Sequence, residues 1–472
     1  MMHYLLLTAL TLIILYLSYR IWIKFKEPAF ILGIALVYYW SLAGAWIIIF
    51  DELTGDKGKD FGVHYYHYRE ALFPIHLDNY YLQSILYYGV FIIVVQLCVF
   101  FIAKKPPLQI TVFKPVVINH TVLIAGCIFG VILSCSLVWN EILTAAKFQE
   151  SIYVVTRLQP GRFTTLHQLL NICIVIALYV GLISYVSGSK SRYITGQKTK
   201  ALLWLYILCV FIVEGYLLLL GNKREIFFAG IFGGLFYYSN EEGKVRWQPI
   251  VLLLTIVFTP MIFNDGLRSY SPVGLEKSFD TTGLELHIER EIEYTAFSVK
   301  SSTLSFLFSN EMFSSHFSMY GILSKDVPFT YGSSISSFFH SLIPRVFLPD
   351  RPETSYDYYV RSVNALAGQG YTIHHASGWF LNFGLAGILA GAALLGGLWA
   401  WLYNKMSLLT TVRNKFVKLV FIIGMLGFTA QLPSLIRSGP EAYKALLFEA
   451  ILIPALIIYL SSLFVNKKNG KI

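Results

Sequence analysis

The chain has 472 residues, of which 56% are hydrophobic and only 14% charged, with a formal net charge of +10. A soluble domain carries roughly a quarter charged residues, and the mean hydropathy here is +0.60. These values exclude a soluble globular enzyme and point to an all-α polytopic membrane protein.

Apolar runs near 20 residues are long enough to cross a bilayer at about 1.5 Å per residue. They fall at about 3–19, 30–50, 79–103, 116–138, 166–187, 201–220, 226–238, 248–263, 379–402, 416–432 and 445–465, about eleven transmembrane helices. The first is followed by Arg20, Lys24 and Lys26 and lacks a basic leader and a small-x-small cleavage site, so it reads as a retained helix. The seventh and eighth are short, as tilted, broken or re-entrant helices are. Cys98, Cys127, Cys135, Cys173 and Cys209 all lie inside apolar runs, so no disulfide framework is expected.

Basic residues set the expected orientation. Alternate connections carry Arg20, Lys24 and Lys26; Lys104, Lys105 and Lys114; Lys190, Arg192, Lys198 and Lys200; Lys244 and Arg246; Lys405, Arg413, Lys415 and Lys418; and Lys467, Lys468 and Lys471. Their only acids are Glu27, Glu241 and Glu242. That side is expected to be cytoplasmic, with the N-terminus outside and the C-terminus inside, which an odd number of spans requires. The chain then divides into helices one to eight (1–263, with outer loops 51–78 and 139–165), a long outer loop (264–378), and helices nine to eleven with a cytoplasmic tail (379–472). The short inner loops hold no phosphate-binding glycine loop, so chemistry is expected outside.

The outer loop 264–378 is too long for a bare connection. Ile335, Phe338, Phe339 and Leu342 follow helical spacing and predict a short interfacial helix ended by Pro344. The mixed stretch Glu285–Lys300 predicts a second amphipathic helix. Tyr65, Tyr66, Tyr68, Tyr80, Tyr81, Tyr356, Tyr358 and Tyr359 crowd the outer side. They read either as an interfacial belt or as rings that stack on sugars.

Several charges can carry chemistry. Lys223 and Arg224 sit on the tight turn Gly221–Glu225, and Arg437 follows the tenth span. Arg345 and Arg351 flank a proline-rich turn. Diphosphate suits such groups, since arginine offers a bidentate fork and lysine a point charge; headgroup anchoring is the plainer alternative. His374 and His375 close the outer loop, and either one is a candidate general base. A backbone-bonded histidine is the plainer reading. Asp357 and Glu353 are further candidate bases. No zinc-like spacing surrounds the histidines, and His64-x-x-His67 is a weak metal signal, so no metal is expected. Glu214 and Glu449 lie within spans, where a carboxyl needs a partner or a function. Gly384-x-x-Gly387-x-x-x-Gly391 predicts close helix packing.

Ile343-Pro344-Arg345, Pro349-Asp350-Arg351-Pro352 and the Ser377-Gly378-Trp379-Phe380-x-Asn382-Phe383-Gly384-x-x-Gly387 ending resemble the O-antigen polymerase (Wzy-type) family of repeat-unit polymerases. The Gly221-Asn222-Lys223-Arg224 turn is similar too. The related O-antigen ligases keep a longer spacing between histidine and Gly-x-x-Gly, which favours the polymerase. The resemblance implies a GT-C-like, cofactor-free glycosyltransferase in the bacterial cytoplasmic membrane, with its site facing the periplasm or exterior. Donor and acceptor would be undecaprenyl-diphosphate-linked oligosaccharides. Membrane lipid is an expected partner; a chain-length regulator and a flippase of the same pathway are candidate partners, and nucleic acid is not. His374, His375 or Asp357 would take the acceptor proton, and Lys223, Arg224, Arg345, Arg351 and Arg437 would hold the diphosphate. A ligase-like lipid-glycan transferase and a polysaccharide transporter or flippase are the alternatives.

Overall fold

The computed structural model describes residues 2–26, 28–46, 48–49, 76–104, 118–148, 163–189, 197–219, 311–341, 343, 348, 352–364, 373–406, 412–436 and 438–464. All secondary structure among these residues is helical. Among the described residues five helices are long and apolar enough to cross a bilayer: Met2–Phe25, Asn79–Ile102, His120–Leu137, His375–Lys405 and Pro440–Leu463. Phe30–Trp46, Leu169–Leu182 and Ala201–Leu217 are shorter apolar helices. The expected spans at 226–238 and 248–263 and the expected helix at Glu285–Lys300 lie outside the described residues.

The chain divides into two units, the first made of residues 1–111 and 307–451 and the second of 112–306 and 452–472. The first unit holds α1 (Met2–Phe25), α2 (Pro28–Tyr38, running on into a π-turn at Tyr39–Ala43) and α3 (Asn79–Ile102). Asp78 caps α3 by accepting the Tyr81 N–H at 2.9 Å, as an N-cap acid does. The second unit contains α4 (His120–Leu137), α5 (Trp139–Phe148), α6 (Thr164–Ser189) and α7 (Gln197–Leu219). Within it the Tyr179 hydroxyl donates to Glu214 at 2.7 Å, so this carboxyl has a partner on a neighbouring helix.

The first unit continues with three short helices from the expected outer loop: α8 (Glu311–Ser324), α9 (Ser333–Ser341) and α10 (Ser355–Ser362). Ile335, Phe338 and Phe339 share α9, as their spacing predicts. Two longer helices follow, α11 (His375–Met406) and α12 (Lys415–Ile436), and then a π-helix at Ala445–Leu452. The last helix, α13 (Ile453–Leu463), belongs to the second unit.

α11 departs from the expected single span starting at 379. Phe383 (φ −143°, ψ 21°) and Gly384 (φ 59°, ψ −143°) leave helical geometry and divide it into two parts. The left-handed φ of Gly384 is one that a residue with a Cβ adopts at a cost. The two parts fold against each other. A Cβ on Gly387 would meet the Trp379 carbonyl oxygen at 2.1 Å, and one on Gly391 would meet the Trp379 ring at 2.3 Å. In an unbroken helix positions 379 and 391 lie about 18 Å apart. Gly387 and Gly391 therefore admit their own helix's first part rather than a neighbouring helix. Gly396, whose Cβ would meet the Val95 carbonyl at 2.6 Å, makes the close helix–helix approach, to α3.

The break leaves backbone groups without helical partners, and the segment after α8 supplies them. Thr330 N–H donates to Leu381 O at 2.8 Å, and Gly332 N–H donates to the Asn382 side-chain oxygen at 3.1 Å. Asn382 also donates through Nδ2 to Gly378 O at 2.7 Å.

Gly387→Ala forces a methyl onto backbone and is expected to cost about 1–3 kcal/mol, lowering the thermal midpoint of the purified protein. Gly397→Ala, whose Cβ would meet nothing nearer than Ile102 at 3.7 Å, is expected to leave the midpoint within a degree or two. Equal effects would contradict the folded-back arrangement.

Candidate functional site

Folding back carries the start of α11 down beside α3. His374 stacks edge-on against Tyr88 at 4.7 Å and against Phe91 at 5.9 Å between ring centroids. Phe91 lies about 18 Å along α3 from Asn79. The histidine pair therefore lies well inside the length of an apolar helix. The sequence places the pair at the close of the outer loop; in the fold it packs against the middle of α3. The linear order of residues gives no sign that the chain descends before it climbs.

Both imidazoles are fully buried, and hydrogen bonds fix their proton positions. His374 O accepts the first helical bond, from Gly378 N–H at 2.9 Å, which makes His374 the N-cap of α11. Its Nδ1 accepts the Ala376 N–H at 3.0 Å. In the neutral ring Nε2 then carries the hydrogen, directed at Ser41 Oγ 2.7 Å away. For His375 the order is reversed. Its Nδ1 lies 3.0 Å from Ser438 O, which can only accept, so the hydrogen is on Nδ1. Its Nε2 accepts from Trp379 Nε1–H at 3.2 Å and lies 3.2 Å from the Tyr443 hydroxyl.

A wider polar network surrounds the pair. His374 N–H donates to Ser318 Oγ at 3.0 Å, Ser318 donates to Ser377 Oγ at 2.8 Å, and Tyr88 lies 3.1 Å from Ser377 Oγ. Ser41, Tyr88, Ser318 and Ser377 are all buried. Leaving such groups unpaired would cost about 1–3 kcal/mol each, so the network fixes the relative positions of α2, α3, α8 and α11. On the other side of His375, Glu441 accepts both the N–H and the hydroxyl of Ser355 at 2.7 Å. The turn after α12 is thereby fastened to the start of α10.

Asp357 lies in the first turn of α10 and is exposed. Its carboxylate accepts the Thr354 hydroxyl at 2.7 Å, and its N–H donates to the same hydroxyl at 3.1 Å, a local capping arrangement. Glu353 pairs with Arg361 at 2.6 Å on the surface. The structure thus buries His374 and His375 side by side, each with its own hydrogen-bond partners, and leaves Asp357 exposed. Lys223, Arg224, Arg345, Arg351 and Arg437 lie outside the described residues, as does His64-x-x-His67. Among the described residues no group of three or more metal-ligating side chains occurs.

The basic atom this arrangement offers is His375 Nε2, shielded by Trp379 and Tyr443. A hydroxyl brought to it would have to displace one of them or pass its proton through the Tyr443 hydroxyl. Ser41, Tyr88, Ser318 and Tyr443 were not identified from sequence. Ser41 and Tyr88 had one signal, a polar group inside an apolar run. Comparison of the chain with family models, curated proteins and solved structures gives no match.

His374→Ala is expected to lose at least the roughly 1 kcal/mol of a helix cap and to lower the thermal midpoint. His374→Asn, with a good capping oxygen, is expected to recover part of that loss. An Asn variant no better than Ala would remove the capping role.

Proposed function

We propose that the chain is a polysaccharide polymerase of the outer face of the cytoplasmic membrane, joining undecaprenyl-diphosphate-linked oligosaccharide repeat units. One observation carries the reading. The residues whose pattern resembles the repeat-unit polymerases, Ser377-Gly378-Trp379 through Gly387, are also those that form the broken helix and its buried polar network. A pattern with only a packing role would need neither a reversal nor two adjacent histidines of opposite tautomer.

In this reading the acceptor hydroxyl oxygen attacks the anomeric carbon of the donor glycan. The bond from that carbon to the diphosphate oxygen breaks, and undecaprenyl diphosphate leaves with the electron pair. The hydroxyl proton goes to a base, for which His375 is the better placed of the two histidines because its Nε2 is held by the side chains of Trp379 and Tyr443 rather than by a backbone N–H. Lys223, Arg224, Arg345, Arg351 and Arg437 are the cations proposed to stabilise the leaving charge. A transporter or flippase is the second reading. The broken α11 favours it, since discontinuous helices form transporter binding sites, and so does Glu214 within a helix.

The test is reconstitution of the purified protein with the lipid-diphosphate-linked repeat unit of its own host, in detergent, without nucleotide sugar and with EDTA. A ladder of products is the expected result. A single transfer to a lipid A core would move the assignment to a ligase, and no product from verified substrate would end both enzyme readings. In the same assay Arg224→Ala is expected to abolish the ladder at normal membrane abundance. Full activity would remove Arg224 from the site.

A further inference from the structure

The turn that closes the helix break also presents aromatic rings. Phe329 and Tyr331 lie 6.2 Å apart between centroids, and Phe329 lies 5.7 Å from Phe380. Phe329 is 41% exposed, Phe383 42% and Tyr331 80%. The backbone holds them there at a cost. Tyr331 has φ +46° and Gly332 has φ +93°, and a Cβ on Gly332 would meet the Phe383 ring at 3.3 Å. A tyrosine in left-handed backbone is uncommon, and such strain clusters where ligands are held. The bonds of this turn to the helix break account for its backbone but not for a tyrosine at 331, since that ring is the most exposed of the three.

We propose that Phe329, Tyr331 and Phe383 form a shelf that stacks against the glycan of the lipid-linked substrate. The inference rests on the polymerase reading and adds a subsite to it. Three features favour a sugar over a lipid headgroup as the occupant. The shelf sits where α11 turns into its long apolar part, at the end of the span, where a lipid-linked glycan emerges from the hydrocarbon. It is separated from His375 only by the first part of α11, about 10 Å long. Its rim is polar and close to charge-neutral among the described residues. Tyr358 donates to Pro328 O at 3.1 Å, and the Arg361 guanidinium lies over the Tyr358 ring while pairing with Glu353. Lys325 and Asp326, just ahead of Phe329 in the chain, carry opposite charges, a setting suited to a hydroxyl-rich ligand rather than an anionic headgroup.

Tyr331 allows a test that separates binding from folding. Glycine adopts φ +46° without strain, so Tyr331→Gly removes the ring while holding or raising thermal stability. The probe is the lipid-free oligosaccharide released by mild acid from the host's own lipid-linked repeat unit, and the readout is saturation transfer from purified protein to sugar protons. Transfer is expected with the wild type and with Tyr331→Phe, and binding about threefold to tenfold weaker with Tyr331→Gly, the range of one aromatic contact. Equal binding by Tyr331→Gly and wild type would overturn the shelf. So would absence of binding by a wild-type protein that still forms a ladder, a result that leaves the polymerase reading intact. Tyr331-dependent binding without any ladder would support the shelf and remove the polymerase.

Discussion

The reversal of α11 at Phe383 and Gly384 is the constraint on which the arrangement around the histidines depends. Breaking a helix leaves backbone donors and acceptors without intrahelical partners, and each needs one. The turn Phe329–Gly332 and the Asn382 side chain provide those partners. The two parts of the helix approach closely only because residues 387 and 391 have no side chains to obstruct Trp379. With the reversal in place, the chain ahead of it has to descend, and His374 and His375 arrive beside Tyr88 and Phe91.

Descent brings polar side chains into a setting where each must be paired, and the pairing is close to complete around both rings. The two histidines are adjacent yet take opposite roles. His374 is spent as a helix cap with its hydrogen held toward Ser41, whereas His375 keeps a lone pair on the side of Tyr443 and Trp379. Sequence position does not distinguish them; hydrogen-bond direction does. The same buried bonds link segments far apart in the chain, from Ser41 to Ser438.

Much of the helical organisation was legible in hydropathy, because a bilayer-length apolar run has few alternatives. The short amphipathic α9 was legible from three apolar positions at helical spacing. The reversal was not. Gly384, Gly387 and Gly391 have a spacing that serves either a close helix crossing or a folded-back helix, and only the positive φ of Gly384 and the position of Trp379 separate the two. The depth of the histidines was illegible for the same reason, since linear order places residue 375 before the span and hence at its rim. Ser41 and Ser318 became part of the site through tertiary contacts that no local pattern encodes. The proposed shelf was likewise hidden, because Tyr331 differs from the other described tyrosines by its backbone rather than by its neighbours in sequence.

The most direct measurement is a cross-link across the reversal. In a background with the five native cysteines replaced, Trp379→Cys and Gly391→Cys are introduced together, the protein is mildly oxidised in membranes, and the disulfide is detected by mass spectrometry. A Cβ at residue 391 would lie 2.4 Å from the Trp379 Cγ position, so the two Cβ atoms lie within about 4 Å, a separation that a disulfide spans. The account predicts rapid and near-complete bond formation. Two free thiols after oxidation, as expected for a continuous helix holding them about 18 Å apart, would contradict it.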